Sequence, residues 1–395
     1  MRILYFCEEY FCNHGGRTHA REFFAALKSL PEVEYAAVMS RNRNTSPNSK
    51  HTIVNSKRGK GYLGFLPPAL RKFLRFFIPR HDAARKIISK IAQEKIDVLI
   101  VRHGGQNIPY GKIKKACPNL IICIEINAFI FDEHFHHIWF RPVWQLLELK
   151  MLQCADCFFT VSSYLKNYLV TKNIKETKIL VNPNGVNEKL FGGISAPERN
   201  KARRQLKIPD KAFVLGYIGG AEKFRRLSQM VEAVEELKRN GQDDLYLLII
   251  GPGDKSPLLN EKILQSQETL GKWISCLDRQ PYDQIPFLMS AFDLAIFPFT
   301  NPYCSPLKLF EYLAMGLPAI GPDTPAVKEV FEDGEHLLMV SQDGSDFKEA
   351  ILRLKESEDL KHRIGRKGRE RVLSSYTWVN NAKRTLRHIS LCQCK

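Results

Sequence analysis

The chain has 395 residues, 44% of them hydrophobic and 26% charged, with a formal net charge of +17. That length exceeds the size at which one core stops growing, so two domains are predicted, each with a real core. The opening stretch MRILYFCEEYF lacks the charged region, apolar core and small-residue site of an export leader, and no run reaches the roughly 20 apolar residues of a spanning helix. A cytoplasmic protein, or one peripheral on the inner face of the membrane, is expected. Ten cysteines without a leader read as reduced thiols. CADC at 154–157 has the spacing of half a zinc site, but only CQC at 392–394 is available to complete it, so no metal is expected. Cys154 and Cys157 read instead as core residues beside a strand.

In chain order, RILYFC is a first apolar strand, GGRTHAREFFAALKSL a glycine turn and helix, and EYAAVM a second strand. From Tyr35 to His81 no acidic residue occurs, and within that span ALRKFLRFFI sets Leu70, Phe73, Leu74 and Phe77 on one helical face and Arg71, Lys72 and Arg75 on the other. Two readings stand: a core helix with a solvated basic side, or residues 57–80 as an interfacial helix on an anionic membrane surface. Nucleic acid is not expected as a partner, because neither aromatic platforms nor a known module accompany the charge. The alternation then resumes with helix ARKIISKIAQEK, strands DVLIV, LIICIEIN and CFFTVS, and helix SYLKNYLVTK. Uniformly apolar strands separated by helices predict a parallel sheet covered on both faces.

At ILVNPNGVNEKLF the rhythm pauses, and GGISAPERNKARRQLKIPDK reads as polar and loop-rich. The expected divisions are a first domain over 1–186, a second over 187–372, and a terminal helix within 373–395 that packs back on the first. The second half starts over with strand FVLGYIGG and continues through LYLLIIGPG, WISCLD, LAIFPF and LPAIGP, with helices between them. The prediction is α/β: two tandem doubly wound, Rossmann-like domains facing across a cleft, with ligands at the carboxyl ends of the strands.

The stretch SPLKLFEYLAMGLPAIGPD, from residue 305, suggests chemistry. Ser305 is a good N-cap and Pro306 suits a first helical position, so free N–H groups face the preceding loop. Such a terminus takes anions, Lys308 adds a charge, and Glu311 on the same face accepts from hydroxyls. Phosphate plus polyol is one reading; a capped helix with a solvated Lys–Glu pair is the other.

With these motifs the chain resembles the GT-B glycosyltransferases, in particular the fourth family of retaining nucleotide-sugar enzymes. VNPNGVNEKLF resembles the family's strand-to-hinge signature, with Asn187 where Asp is usual, and LLIIGPGD its glycine loop. The stretch Tyr303, Cys304, Ser305, Pro306, Leu307 to Glu311 resembles the donor-binding helix. The resemblance places Glu311 near the ribose and the distal phosphate at Ser305 and the amides after it, with Lys308 close by. Tyr303 stands where the family commonly has a first glutamate. In GYIGGAEKFRRL the family's Arg–Lys pair aligns with Gly220 and Arg225, so one cation is kept; Gly219 belongs to the same loop. HGGRTHAREF resembles the Gly-Gly turn in which Gly15 and Gly16 let backbone approach the sugar–phosphate, a plain tight turn being the alternative. VRHGG and EINAF resemble a subgroup in which Arg102, His103, Glu125 and Asn127 face the cleft, with His103 on a sugar hydroxyl or on the acceptor.

The resemblance implies a retaining transfer of a hexose from a nucleotide-diphosphate sugar to a sugar or lipid-linked acceptor. Arg225, Lys308 and His103 would serve catalysis. No Asp-x-Asp cluster is present to hold Mg²⁺ on a diphosphate, so no metal or other cofactor is expected. Two rival readings are a non-catalytic nucleotide-sugar-binding scaffold and a sugar-nucleotide epimerase of the same fold.

Overall fold

The computed structural model describes residues 1–11, 15–40, 52–53, 79–104, 107–128, 141–251 and 257–393. Positions 57–78 of the basic amphipathic stretch and 252–256 of the glycine loop therefore lie outside the described residues. The chain divides into two units, Met1–Pro183 with Trp378–Lys395, and Asn184–Thr377. The sequence reading set these divisions after 186 and 372.

In the first unit, strands β1 (Arg2–Phe6), β2 (Tyr35–Ser40), β3 (Thr52–Ile53), β4 (Val98–Arg102), β5 (Ile121–Ile126), β6 (Cys157–Thr160) and β7 (Ile179–Val181) form one sheet. Its order is β3-β2-β1-β4-β5-β6-β7 and every pairing is parallel. Helices α1 (Gly15–Lys28), α2 (His81–Glu94), α3 (Tyr110–Ala116), α4 (Arg141–Leu152) and α5 (Ser163–Thr171) accompany it. The strands are buried almost throughout, which is why they read as continuous apolar runs rather than alternating ones. Gly15 and Gly16 form the start of α1 rather than a turn ahead of it. Cys157 is buried in β6 and Cys154 is half-buried; the described cysteines are free thiols.

The second unit repeats the plan with β8 (Phe213–Ile218), β9 (Leu245–Ile250), β10 (Ile274–Leu277), β11 (Leu294–Ile296), β12 (Ala319–Pro322) and β13 (Leu338–Val340). They form a parallel sheet of order β10-β9-β8-β11-β12-β13. The segment read as loop after the hinge contains helix α6 (Ala196–Gln205), opened by a capping box between Ser195 and Glu198 with Pro197 in its first turn. Helices α7 (Leu227–Arg239), α8 (Pro257–Leu270), α9 (Ile285–Met289), α10 (Leu307–Ala314), α11 (Pro325–Lys328), α12 (Phe347–Glu356) and α13 (Glu358–Ser375) follow. Each unit has its own apolar cluster, one around Val101, Ile124 and Phe158 and one around Leu215, Leu247 and Ile320.

The last helix, α14 (Trp378–Gln393), belongs to the first unit, where it packs on α1 and against β5 and β6. Buried amides hold it there. Asn182 Nδ2 donates to the Asn381 side-chain oxygen (2.9 Å) and to Thr385 Oγ1 (3.0 Å), and Asn381 Nδ2 donates to the Pro183 carbonyl (2.8 Å). Among the described residues no helix is long and apolar enough to cross a membrane.

Candidate functional site

Parallel doubly wound sheets open a crevice where the strand order reverses, beyond the carboxyl ends of the two strands that flank the reversal. In the second unit those strands are β8 and β11; in the first they are β1 and β4. Most of the candidate residues gather at these two places.

At the β8 end, the Gly219 N–H donates to the Ile250 carbonyl (3.0 Å), and a Cβ at Gly219 would lie 2.6 Å from the Tyr217 hydroxyl. That hydroxyl donates to the Gly220 carbonyl (2.9 Å), and burial pushes its pKa up, so it stays a donor. A short 3₁₀ turn, Lys223–Arg225, then carries Arg225 back over the sheet. Its guanidinium donates to Thr300 Oγ1 (2.9 Å) and lies over the rings of Phe297 (4.4 Å) and Phe224 (4.8 Å). Cation–π contact fixes a charge without consuming its hydrogen bonds. Among the described residues the carboxylate oxygen that pairs with it, on Glu222, stands 3.9 Å from Arg225 Nε. A Cβ at Gly220 would meet the same exposed carboxylate at 2.3 Å, so Glu222 fills the ground beside Gly220.

After β11, the entrance to α10 differs from the expected cap. Pro306 takes the N-cap position in extended conformation (ψ 112°), and the helix begins one residue later, at Leu307. Ser305 is buried and does not cap; its Oγ accepts the Asn184 N–H (3.0 Å), while its carbonyl accepts Asn184 Nδ2 (2.5 Å). Ser305 Oγ thus ties the helix entrance to the hinge as an acceptor, a bond that does not use its O–H proton. Pro306 has no N–H and Leu309 N–H returns to its carbonyl (3.1 Å), so Leu307 and Lys308 carry the orphan amides of this terminus. Cys304 N–H donates to the Asn301 carbonyl (3.1 Å), and Asn301 Nδ2 donates to the Tyr303 hydroxyl (3.2 Å), with Tyr303 itself buried. Glu311 is fully buried; its oxygens accept from Lys308 Nζ (2.6 Å) and Tyr282 Oη (3.0 Å). Tyr282 packs on Phe191 and beneath Lys308. Nothing local in the sequence marked Tyr282 as the partner of Glu311.

The first unit centres on Glu125, inside β5. One of its oxygens meets Arg102 Nη1 (2.6 Å), His19 Nε2 (2.6 Å) and Asn127 Nδ2 (2.5 Å), and the other accepts from Tyr5 Oη (3.0 Å). Burial works against the carboxylate, but His19 and Arg102 offset it and hold its pKa far below the usual range. Burial likewise works against the charge of Arg102, and Glu9 and Glu125 override it, so the guanidinium stays charged. Arg102 Nε also donates to Glu9 (2.8 Å). His103, next along, donates its N–H to the Glu125 carbonyl (2.8 Å), and its Nε2 meets Glu148 Oε1 on α4 (2.7 Å). Among the described residues His103 Nδ1, Asn127 Oδ1 and Thr160 Oγ1 are buried without a hydrogen-bond partner. Such atoms belong at a surface built for a polar ligand or water. Thus Arg102, His103, Glu125 and Asn127 come together at the ends of β4 and β5, whereas Tyr5, Glu9, His19 and Glu148 lacked any local signal.

The profile of the family described as Glycosyl transferases group 1 matches residues 198–371, and that of Glycosyltransferase Family 4 matches 14–190. The chain is 28% identical to the putative teichuronic acid biosynthesis glycosyltransferase TuaH of Bacillus subtilis over 50% of this chain and 49% of that one. It is 22% identical to the lipopolysaccharide 1,2-N-acetylglucosaminetransferase of Salmonella typhimurium over 85% and 84%, and 25% identical to the capsular polysaccharide glycosyltransferase CapM of Staphylococcus aureus over 59% and 60%. The match thus spans about half the length of the Bacillus relative. Among solved structures, the sucrose-phosphate synthase of Thermosynechococcus elongatus superposes with a TM-score of 0.77 at 17% identity, covering all of both chains. The Anabaena protein HepE in complex with UDP superposes with a TM-score of 0.73 at 15% identity over 99% and 100%.

Proposed function

Because the chain belongs to the group 1 glycosyltransferases, with two Rossmann-like domains and GT-B structural neighbours, we propose that it moves a hexose from a nucleotide-diphosphate sugar to an acceptor hydroxyl with retention of configuration. The observation that carries this reading is Arg225, fixed over Phe297 and Thr300 at the switch point of the second unit. As the bond from the anomeric carbon to the diphosphate breaks, negative charge grows on the β-phosphate, and a pre-positioned cation lowers that barrier. Lys308 donates one hydrogen bond to Glu311, which leaves two donors for phosphate. The acceptor oxygen attacks the face that the diphosphate vacates, the new glycosidic bond forms there, and the departing phosphate takes the acceptor proton. Arg225, Lys308 and the orphan amides of α10 supply the positive charge, so the reaction needs no metal.

The acceptor proposed is a glycan or lipid-linked glycan, in keeping with relatives named for lipopolysaccharide and capsular polysaccharide synthesis. UDP is the first nucleotide to try, since a structural neighbour was solved with it. Residues 57–80 would bring the protein to an anionic membrane surface. The reading is tested by supplying UDP-, GDP- and ADP-sugars with glycan acceptors, with and without EDTA. Nucleotide release is followed along with the anomeric configuration of the product. An α-linked product from an α-donor, unaffected by EDTA, is expected; an inverted product, or loss restored by Mg²⁺, would overturn it. Binding without turnover would favour the scaffold reading, and acceptor-independent conversion of the sugar the epimerase.

A further inference from the structure

His103 and Glu148 form a pair that the sequence did not announce. The His103 side chain is 1% exposed and that of Glu148 13%, and Nε2 stands 2.7 Å from Oε1. An ionised carboxylate only accepts, so at this distance it selects the ring form that carries its proton on Nε2. In the neutral ring Nδ1 then presents a bare lone pair, and among the described residues no acceptor stands by it to hold a second proton. The backbone is pinned too, since the His103 N–H bonds the Glu125 carbonyl (2.8 Å), so neither ring nor main chain is free to turn Nδ1 elsewhere. With Phe6, Glu8, Val101, Arg102, Ile108 and Tyr110 the residue lines a space the size of one hydroxyl or water. A Cβ built at Gly104 would meet nothing within 4 Å among the described residues.

We propose that Glu148 is a positioning residue that holds His103 in the Nε2-protonated form, so that Nδ1 accepts a hydrogen bond from a hydroxyl of the glycosyl substrate. The proposal rests on the transferase reading for its substrate, but the state of the imidazole does not. Without Glu148 the ring gains the other tautomer, in which Nδ1 is a donor and meets the hydroxyl through the wrong partner.

The test has two arms. The full-length protein, labelled with ¹⁵N-histidine, is compared by long-range ¹H–¹⁵N NMR near neutral pH as wild type, Glu148→Ala, Glu148→Gln and His103→Gln, the last to assign the signal. The expected result is a bare Nδ1 and protonated Nε2 in the wild type, lost in Glu148→Ala and kept in Glu148→Gln, whose amide oxygen still accepts. A wild type with the opposite tautomer, or no change in Glu148→Ala, would overturn the proposal. The second arm measures nucleoside diphosphate release from UDP-, GDP- and ADP-glucose in the presence of a glycan acceptor. Each of His103→Gln and Glu148→Ala is expected to lower kcat about tenfold with donor KM unchanged, and the double variant no further. Additive losses would mean that Glu148 does not act through His103. If the wild type releases no nucleotide from any of these donors, the transferase reading fails, while the NMR arm still decides the pair.

Discussion

Glu125 holds a negative charge in the interior of a parallel sheet, where an uncompensated ion would be untenable. It is sustained by donors from four places, His19, Arg102, Asn127 and Tyr5, which use both oxygens. Its folded pKa lies below its ordinary value of 4.5, so its contribution to stability is fully present above that pH and drains away as pH falls below it. The expected outcome is that wild-type stability falls more steeply than that of Glu125→Gln between about pH 5 and pH 3, and that the variant costs about 3 kcal/mol at neutral pH. Chemical denaturation over a pH series measures both; parallel acid limbs would contradict the assignment. The residue types EIN at the end of a strand were readable as a polar site, but the partners from β1 and α1 were not, because only the fold brings them to Glu125.

At the scale of elements, one device recurs. Asp97, Asp156 and Asp293 each stand just before a strand and accept the N–H of Arg2, Ile122 and Val214 on the neighbouring strand, at 2.8, 2.8 and 2.7 Å. An edge-of-strand amide is thereby satisfied and the register of adjoining strands fixed. Asp293 also pairs with Arg199 and Arg203, which ties α6 to the start of β11. Burial lowers the pKa of Arg203, and Asp293 opposes this. Asp293→Ala is expected to cost about 2–4 kcal/mol and to lower the melting midpoint by about 5–10 °C, measured by calorimetry; an unchanged midpoint would remove Asp293 from the account. Apolar strands and amphipathic helices were legible here because burial on two faces writes itself as continuous hydrophobic runs. Helix α6 was missed because charge hid its pattern, although Ser195 and Glu198 spell a capping box. The cap of α10 was misread for the opposite reason. Ser305 has the right chemistry for an N-cap, but Asn184, distant in sequence, offers its hydroxyl a buried partner.

For the molecule as a whole, each unit is a doubly wound sheet with polar groups at the place where its strand order reverses, and each set differs in character. The second unit presents Arg225 and Lys308, suited to a diphosphate; the first presents a buried carboxylate network with unpartnered polar atoms, suited to hydroxyls. The tandem plan was readable because the strand–helix rhythm stops at the NPNG turn and begins again. Which residues complete each site was not, since Thr300, Tyr282 and Glu148 act through tertiary neighbours. The most direct measurement is calorimetric titration of the wild type, Arg225→Gln and Lys308→Gln with UDP, GDP and ADP. One nucleoside diphosphate should bind the wild type, and each substitution should weaken it about tenfold or more, with Arg225→Gln leaving the melting midpoint of the free protein within a few degrees. If none of the three binds, or if both variants bind as the wild type does, the second unit does not hold a diphosphate at these cations and the proposed transfer reaction loses its donor site.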